Sequence, residues 1–316
     1  MKENRSKEFQ RDLGYDELLI ELNSVIEEIS FETEHKADLQ VPAVFLVGPP
    51  RSGTTLLMQC LAESNRFAYP SNLIARFFSN VVFGQRVSSL LAPVLESSTS
   101  TYESNLGRTN DWNGPSEFGF FWSRFFPLEE HHEPDEEQLN PRLLEAFTNE
   151  IRSWSREAQR PVLLKAVIMN YQVRLLFRLF PDAVFIRTRR SYPELVRSIS
   201  EGRQRFVGSS NSWFSCRPKN WKEINDIEDP VEKTVAQLAS IEQSISDGWE
   251  HIPAKSKIVF TYEEFCDAPH RWLKNFQKIV HGKLDLAKIP NQFPVKTSLG
   301  EDRSLLDLLH KYGLSE

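Results

Sequence analysis

The stretch from residue 44 to residue 57 constrains the fold of this chain more than any other. It reads Val-Phe-Leu-Val-Gly-Pro-Pro-Arg-Ser-Gly-Thr-Thr-Leu-Leu. Its first four residues are typical of a strand inside a parallel sheet, and apolar residues resume at helical spacing after the Gly/Pro loop. A strand, a tight loop and a helix start bring free backbone N–H groups and a helix dipole to one place. The sequence therefore predicts a phosphate or sulfonate site, formed by Arg51, Ser52, Gly53, Thr54 and Thr55.

The loop departs from the pattern that binds nucleoside triphosphates. Gly48 and Gly53 keep the spacing of that pattern, and Thr55 stands where a magnesium-holding hydroxyl would be. The Lys position is Thr54, however, and the only cation lies inside the loop as Arg51. Because a triphosphate site without that Lys loses its main contact to the β and γ phosphates, we expect a smaller load, one 5′-phosphate with a leaving group.

The octapeptide Pro-Arg-Ser-Gly-Thr-Thr-Leu-Leu (50–57) resembles the 5′-phosphosulfate loop of sulfotransferases that use 3′-phosphoadenosine 5′-phosphosulfate (PAPS). The resemblance covers roughly residues 40 to 300. It implies transfer of a sulfo group from PAPS to a hydroxyl, or less often an amine, of a small-molecule acceptor, with no metal required. Strands and helices also alternate from Val44 onward, which predicts an α/β three-layer sandwich with a central parallel sheet. The family's version is the P-loop nucleotide-kinase-like sulfotransferase fold.

A second motif follows the third predicted strand, residues 183–188. Arg190 stands at its end, and Ser198 lies eight residues later in a helix that Pro193 begins. Arg offers phosphate a fork of donors, and in the family such an Arg and Ser clasp the 3′-phosphate of the nucleotide. The family usually has Asp-Pro directly after this Arg, whereas this chain has Ser-Tyr-Pro, which leaves Arg187 and Arg189 as alternatives.

The C-terminal loop Val-Lys-Thr-Ser-Leu-Gly (295–300) lies where relatives fold a basic loop over the 3′-phosphate. The resemblance therefore implies nucleotide contacts from Lys296 and Ser298. The loop lacks the Arg-Lys-Gly triplet of the cytosolic vertebrate enzymes.

Lys165 is chemically conspicuous because it lies near the carboxyl end of the second predicted strand, within the apolar run 161–167. Ligands gather at that end of parallel strands, and a buried Lys needs a partner. The partner is either an anion in the cleft or a structural carboxylate. With Arg51, Lys165 is a candidate catalytic cation.

Glu117 is the single carboxylate in an aromatic stretch, residues 112–126. Burial beside rings would raise its pKa and suit a general base, and the resemblance implies that role for a Pro-x-Glu before an aromatic segment. The alternative is an acid placed at a helix N-terminus for the dipole. His131 or His132 could instead act as the base. As metal ligands they lack a partner at helical spacing.

Composition sets further limits. The chain has 316 residues, 40% of them hydrophobic, and a formal net charge of -6, which disfavours nucleic acid and polysulfate as partners. Its three cysteines are far apart, so neither a disulfide framework nor a zinc site is indicated. The polar N-terminus and the lack of an apolar run near the ~20 residues of a membrane span predict no membrane segment and a cytoplasmic protein.

The sequence does not force a split into two folding domains. We expect a helical extension over residues 1–39 packed on a single domain over 40–316, with insertions near 84–138 and 201–229. The extension should hold an amphipathic helix over 15–31, capped by Asp16. The apolar face predicted to lie against the body consists of Leu18, Leu22, Val25 and Ile29.

Only aromatic residues in the sequence give an indication of the acceptor. Aromatic residues over 118–126 and 206–221 suggest an apolar or aromatic alcohol, although the same residues could form core. Two other functions remain open: a P-loop kinase and a catalytically silent nucleotide-binding protein. Thr54 at the Lys position speaks against the kinase, and the three candidate catalytic residues together speak against the silent protein.

Overall fold

The computed structural model describes residues 6–10, 12–29, 37–95, 100–209, 212–295 and 302–315. Within these ranges, parallel strands pair in the order β2-β1-β3-β4. The strands are β1 (Ala43–Val47), β2 (Val162–Lys165), β3 (Val184–Arg189) and β4 (Lys257–Thr261). Since parallel neighbours need long crossovers, helices connect successive strands. The predicted α/β fold with a central parallel sheet is confirmed.

Helices cover both faces of the sheet. Alternate residues of β1 enter different cores, because Phe45 belongs to one apolar cluster, with Phe147 and Leu176, and Leu46 belongs to another, with Leu57 and Phe276. The helices are α1 (Leu13–Ile26), α2 (Thr54–Glu63), α3 (Val81–Leu91), α4 (Gly119–Phe125), α5 (Pro141–Ala158), α6 (Val173–Leu179), α7 (Tyr192–Val207), α8 (Trp221–Asn225), α9 (Pro230–Glu250), α10 (Tyr262–Asp267), α11 (Pro269–Ile279) and α12 (Arg303–Lys311). Among these described helices, none is long and apolar enough to cross a membrane.

Two long helices begin at a polar residue followed by Pro, a pattern typical of helix starts. Asn140 precedes Pro141 at the start of α5, and its side-chain oxygen accepts a hydrogen bond from the N–H of Arg142 at 3.0 Å. Asp229 precedes Pro230 at the start of α9, and its carboxylate accepts from the N–H of residue 231 at 2.7 Å. Both starts combine a polar cap with a Pro that has no N–H to leave unpaired, so they are legible without tertiary information.

The N-terminal helix differs from the prediction in its start. α1 begins two residues earlier than expected, because Asp12 rather than Asp16 caps it and accepts from the N–H of Tyr15 at 3.1 Å. Its buried residues are Leu19, Asn23 and Ile26.

The predicted buried face of α1 is wrong. The residues expected to face the body are exposed: Leu18 63%, Leu22 42%, Val25 67% and Ile29 39%. The physical reason is Asn23, whose amide donates to the carbonyls of Leu19 and Arg76 at 2.8 Å and accepts from the N–H of Ser79 at 2.9 Å. These buried hydrogen bonds select the face that meets the body.

Most of the aromatic stretch around α4 is core. The buried rings of this stretch are Phe118, Phe121, Trp122, Phe125 and Phe126. They surround Phe147 of α5 or pack within its cluster. These side chains therefore supply apolar burial to the fold and give no support to an aromatic acceptor.

Candidate functional site

The loop between β1 and α2 has the backbone of an anion site. Gly53 occupies the N-cap of α2 with a φ of 89°, and Arg51 has a φ of 72°. A Cβ on Gly53 would lie 2.5 Å from a ring carbon of Tyr262, so glycine is required there by both conformation and space. The first N–H groups of α2 have no partner within the helix. They and the helix dipole favour an anion at this end.

Two hydroxyl side chains of the loop, Ser52 and Thr54, are buried. Ser52 is fully buried, and its hydroxyl donates to the carbonyl of Pro49 at 2.6 Å and lies 2.6 Å from the Thr188 hydroxyl. Thr54 is also buried. The Ser52 hydroxyl therefore bonds within the protein and shapes the loop from inside, and its contact with a donor stays a prediction.

Arg51, Arg190 and Ser198 come together beside the loop. The Arg51 Nε donates to the Ser198 hydroxyl at 3.0 Å, and the Arg190 Nη1 donates to the Arg51 carbonyl at 3.1 Å. Arg190 also lies over the ring of Tyr262, 4.6 Å from its centroid, and pairs with Glu194 at 3.4 Å. Burial, and then the charge of Arg190, lower the pKa of Arg51. Positive charge from Arg51 and Arg190 beside a helix N-terminus favours an anionic ligand.

The structure separates the three arginines that the sequence left as alternatives. Arg187 is buried, and its Nη2 lies 2.6 Å from the Glu242 carboxylate and 3.0 Å from the Ser246 hydroxyl of α9. Arg189 is exposed at the end of β3. Arg190 therefore lies beside the loop and Arg187 is paired in the core, so the assignment of the 3′-phosphate to Arg190 stays a prediction.

Arg187→Ala is expected to destabilise the fold by about 3 to 5 kcal/mol, because it leaves Glu242 buried without its cation. Arg189→Ala is the matched control. Arg189 lies two residues after Arg187 and carries the same charge, but its side chain is exposed, so the free energy of unfolding should stay within about 0.5 kcal/mol of the parent. Denaturant unfolding measures both. Equal midpoints for the two variants would contradict a structural role for Arg187.

Lys165 and Glu117 form an ion pair next to the anion loop. The Lys165 Nζ lies 2.6 Å from a Glu117 carboxylate oxygen and donates to the Thr55 hydroxyl at 3.1 Å. Thr55 belongs to the first turn of α2. Only 8% of the Lys165 side chain is exposed. The carboxylate partner that the sequence left open is thus Glu117, and the pair brings a cation and a carboxylate to the loop.

The predicted burial of Glu117 among aromatic rings is wrong, because 62% of its side chain is exposed. Phe118, the next residue, has the left-handed conformation φ 59°, ψ 38° and lies at the N-cap of α4. The buried rings that follow belong to the core, while the Glu117 side chain is exposed and contacts Lys165. Its carboxylate bonds to Lys165, and the N-cap of α4 has no side-chain hydrogen bond.

Sequence reasoning missed Gly107, which closes over the ion pair. A Cβ there would lie 2.9 Å from the Glu117 carboxylate, 3.2 Å from the Lys165 Nζ and 3.5 Å from the Thr55 hydroxyl. Gly107 has a φ of 92° in a tight turn, where Asn105 and Arg108 exchange backbone hydrogen bonds of 2.9 and 3.0 Å. The signal in the sequence was Asn-Leu-Gly, because Gly supplies the positive φ that such turns need.

The two histidines make contacts to neighbouring backbone. The His132 Nδ1 accepts from the N–H of Arg217 at 3.0 Å, and the His131 Nδ1 accepts from the N–H of Glu133 at 3.3 Å. In the part of the chain that the structure describes, no group of three His, Cys, Asp or Glu residues could hold a metal ion. Lys296 and Ser298, the other predicted nucleotide contacts, lie outside the described residues.

Fold and site together define an α/β protein with a Gly-rich loop between a strand and a helix at the carboxyl edge of a parallel sheet. The model of the sulfotransferase family matches residues 42–279, which is more than half of the chain. The chain therefore belongs to the sulfotransferase family.

Solved structures agree with this fold. The sulfotransferase STF9 from Mycobacterium avium is 13% identical with a TM-score of 0.53, over 87% of this chain and 76% of that protein. The sulfotransferase STF1 from Mycobacterium tuberculosis H37Rv is 10% identical with a TM-score of 0.54, over 93% and 79%. No curated protein matches the chain.

Proposed function

We propose that this protein transfers a sulfo group from PAPS to a hydroxyl group, or less often an amine, of a small-molecule acceptor. The observation that carries the proposal is the joining of two sets of side chains at one loop. Arg51 meets Ser198 and Arg190 at the loop itself, and Lys165 with Glu117 reaches the same loop through Thr55. One set suits the phosphates of a donor, and the other suits the reacting oxygen of an acceptor.

The donor would lie along the loop and the start of α7. The N–H groups at the start of α2 and Arg51 would hold the 5′-phosphosulfate, while Arg190 and Ser198 would hold the 3′-phosphate. The placement of Arg51 and Arg190 supports this assignment, because a phosphate would interact favourably with two partly buried guanidinium groups at the loop. Lys296 and Ser298 remain proposed contacts of the same phosphate.

Glu117 and Lys165 would act on the reacting atoms. Glu117 is proposed to take the proton of the acceptor hydroxyl as its oxygen forms a bond to sulfur and the bond from sulfur to the phosphate oxygen breaks. Lys165 is proposed to stabilise the negative charge that collects on the leaving phosphate. The 2.6 Å ion pair holds the Glu117 carboxylate and the Lys165 ammonium side by side at the loop, where both could reach the reacting atoms.

We also propose where the protein is located and how its chain is organised. The cytoplasmic location and the division into a helical extension, 1–39, and a single domain, 40–316, are predictions from sequence. The acceptor is proposed only as a small molecule, because the rings of 118–126 that suggested an aromatic alcohol largely serve the core.

A thermal-shift experiment tests the donor class. The product nucleotide 3′-phosphoadenosine 5′-phosphate, here called the bisphosphate, should raise the melting temperature in the presence of a chelator, because a ligand that binds only the native state stabilises it. ATP with magnesium should stabilise the protein much less, since Thr54 replaces the Lys that contacts the β and γ phosphates.

The outcomes separate the three functions. Stronger stabilisation by ATP with magnesium than by the bisphosphate would replace this proposal by a kinase. Stabilisation by the bisphosphate without transfer from labelled donor to any acceptor class, in a screen of alcohols, phenols and amines, would favour the silent nucleotide-binding protein.

A further inference from the structure

Gly48 is the point where the chain leaves the sheet and enters the anion loop. It follows the last residue of β1, and a Cβ there would lie 2.0 Å from the Thr188 hydroxyl and 2.7 Å from the Thr188 carbonyl. The backbone of Gly48 is therefore wedged against β3. Buried N–H and C=O groups must find partners within the protein, and Gly48 lies beyond the last paired residues of β1.

Asn170 satisfies both groups. Its side-chain oxygen accepts from the Gly48 N–H at 3.0 Å, and its side-chain nitrogen donates to the Gly48 carbonyl at 2.8 Å. Asn170 is fully buried, and it lies in a short 3-10 helix, Val167–Gln172, that follows β2. A primary amide has an NH₂ donor group and a carbonyl acceptor side by side, so it can bond the N–H and the C=O of one residue together.

Side chains hold the first half of the loop from two sides. The Ser52 hydroxyl holds the Pro49 carbonyl and meets Thr188, which fixes the loop from the β3 side. Asn170 fixes it from the β2 side. Between the two anchors the chain turns toward Arg51, whose backbone has a positive φ.

We propose that Asn170 is a positioning residue for the donor, because it sets the direction in which the loop leaves β1 and so the place of Arg51 and of the first N–H groups of α2. The inference rests on the proposed function in that the loop is the PAPS site. Asn170 touches neither donor nor acceptor in this account. Its effect passes through the peptide group of Gly48.

The alternative is a buried amide that only stabilises the fold. The chain offers a matched control in Asn23, which is also buried and likewise bonds backbone groups at two sides: the carbonyls of Leu19 and Arg76, and the N–H of Ser79. Asn23 joins α1 to residues 76–79, away from the loop. Asn23→Ala and Asn170→Ala should therefore both lower the melting temperature.

Calorimetry with the bisphosphate separates the two readings. Asn170→Ala is expected to weaken binding about tenfold or more, the scale of a buried polar group left unpaired, while Asn23→Ala stays within twofold of the parent. Asn170→Ser keeps a polar group in the site, but its hydroxyl is one bond shorter than the amide and does not reproduce the pair with Gly48, so its affinity should lie between those of the parent and the Ala variant. It also serves if Asn170→Ala does not fold. Affinity within twofold of the parent in both Asn170 variants would overturn the proposal.

Hydrogen exchange in the absence of ligand distinguishes failure of this inference from failure of the proposed function. Amides of residues 51–56 should exchange at least tenfold faster in Asn170→Ser than in the parent, and at the parent rate in Asn23→Ala. If the parent protein did not bind the bisphosphate, this result would still decide whether Asn170 orders the loop. Unchanged exchange in Asn170→Ser would refute it.

Discussion

Glu117→Gln is expected to lower turnover by roughly 10² to 10⁴, the range for loss of a general base, with bisphosphate affinity within a few fold of the parent. Glutamine keeps the shape of the side chain and an oxygen that can accept from the Lys165 Nζ, now 2.6 Å from the carboxylate. It cannot accept the proton of an acceptor hydroxyl. The measurement is steady-state turnover with labelled donor at saturating acceptor, together with the melting temperature of the same variant.

The control for Glu117→Gln is Glu130→Gln. Glu130 pairs with Lys222 at the same 2.6 Å, and its side chain is 60% exposed, close to the 62% of Glu117. This variant removes the same charge from a similar ion pair and should leave turnover unchanged. Full activity in a normally folded Glu117→Gln protein would contradict the base assignment, and His131→Ala and His132→Ala would then be the variants to measure.

Arg190→Ala is expected to weaken bisphosphate binding roughly 10- to 100-fold, which is the scale of hydrogen bonds to a charged group. The loss has two sources. The phosphate would lose a guanidinium, and the Arg51 carbonyl would lose the donor now 3.1 Å away. Ser198→Ala should cost less, because a neutral hydroxyl makes the weaker bond and Arg51 remains. Calorimetric titration measures both affinities.

Arg189→Ala is the control for Arg190→Ala. It removes the same charge one residue earlier in the chain, but from an exposed side chain. If only long-range electrostatics mattered, both variants would bind more weakly than the parent by the same small factor at low salt. That loss of affinity would disappear at high salt, because salt screens the charge. Unchanged affinity in Arg190→Ala would contradict the assignment and move the 3′-phosphate to other cations, Lys296 first.

The elements of the fold that could be predicted are those that local sequence specifies. Apolar runs predict the strands, and the caps Asn140 and Asp229, each followed by Pro, predict the starts of α5 and α9. The anion loop was predictable for the same reason, since a strand, a Gly/Pro turn and a helix start lie within residues 44–57. Each depends on contacts between residues a few positions apart.

The errors concern side chains whose partners are distant in sequence. The orientation of α1 depends on hydrogen bonds between Asn23 and the backbone of Arg76 and Ser79, which lie 53 and 56 positions later in the chain. An apolar count favoured the stripe of Leu18 and Leu22, because periodicity identifies a face as apolar without saying which face finds a neighbour. Glu117 was expected among rings because its neighbours in the sequence are aromatic. The left-handed backbone of Phe118 turns the chain between Glu117 and those rings, so they separate in space.

The sequence by itself determined the family resemblance, the parallel α/β fold and the place of the anion loop. The tertiary structure decided which residues meet at that loop. Arg187 and Arg190 are three positions apart and equal in charge, yet one pairs with Glu242 in the core and the other lies beside Arg51. Glu117 and Lys165 are 48 positions apart and meet at 2.6 Å. Such pairings depend on how the sheet brings its carboxyl ends and loops together, which no local pattern encodes.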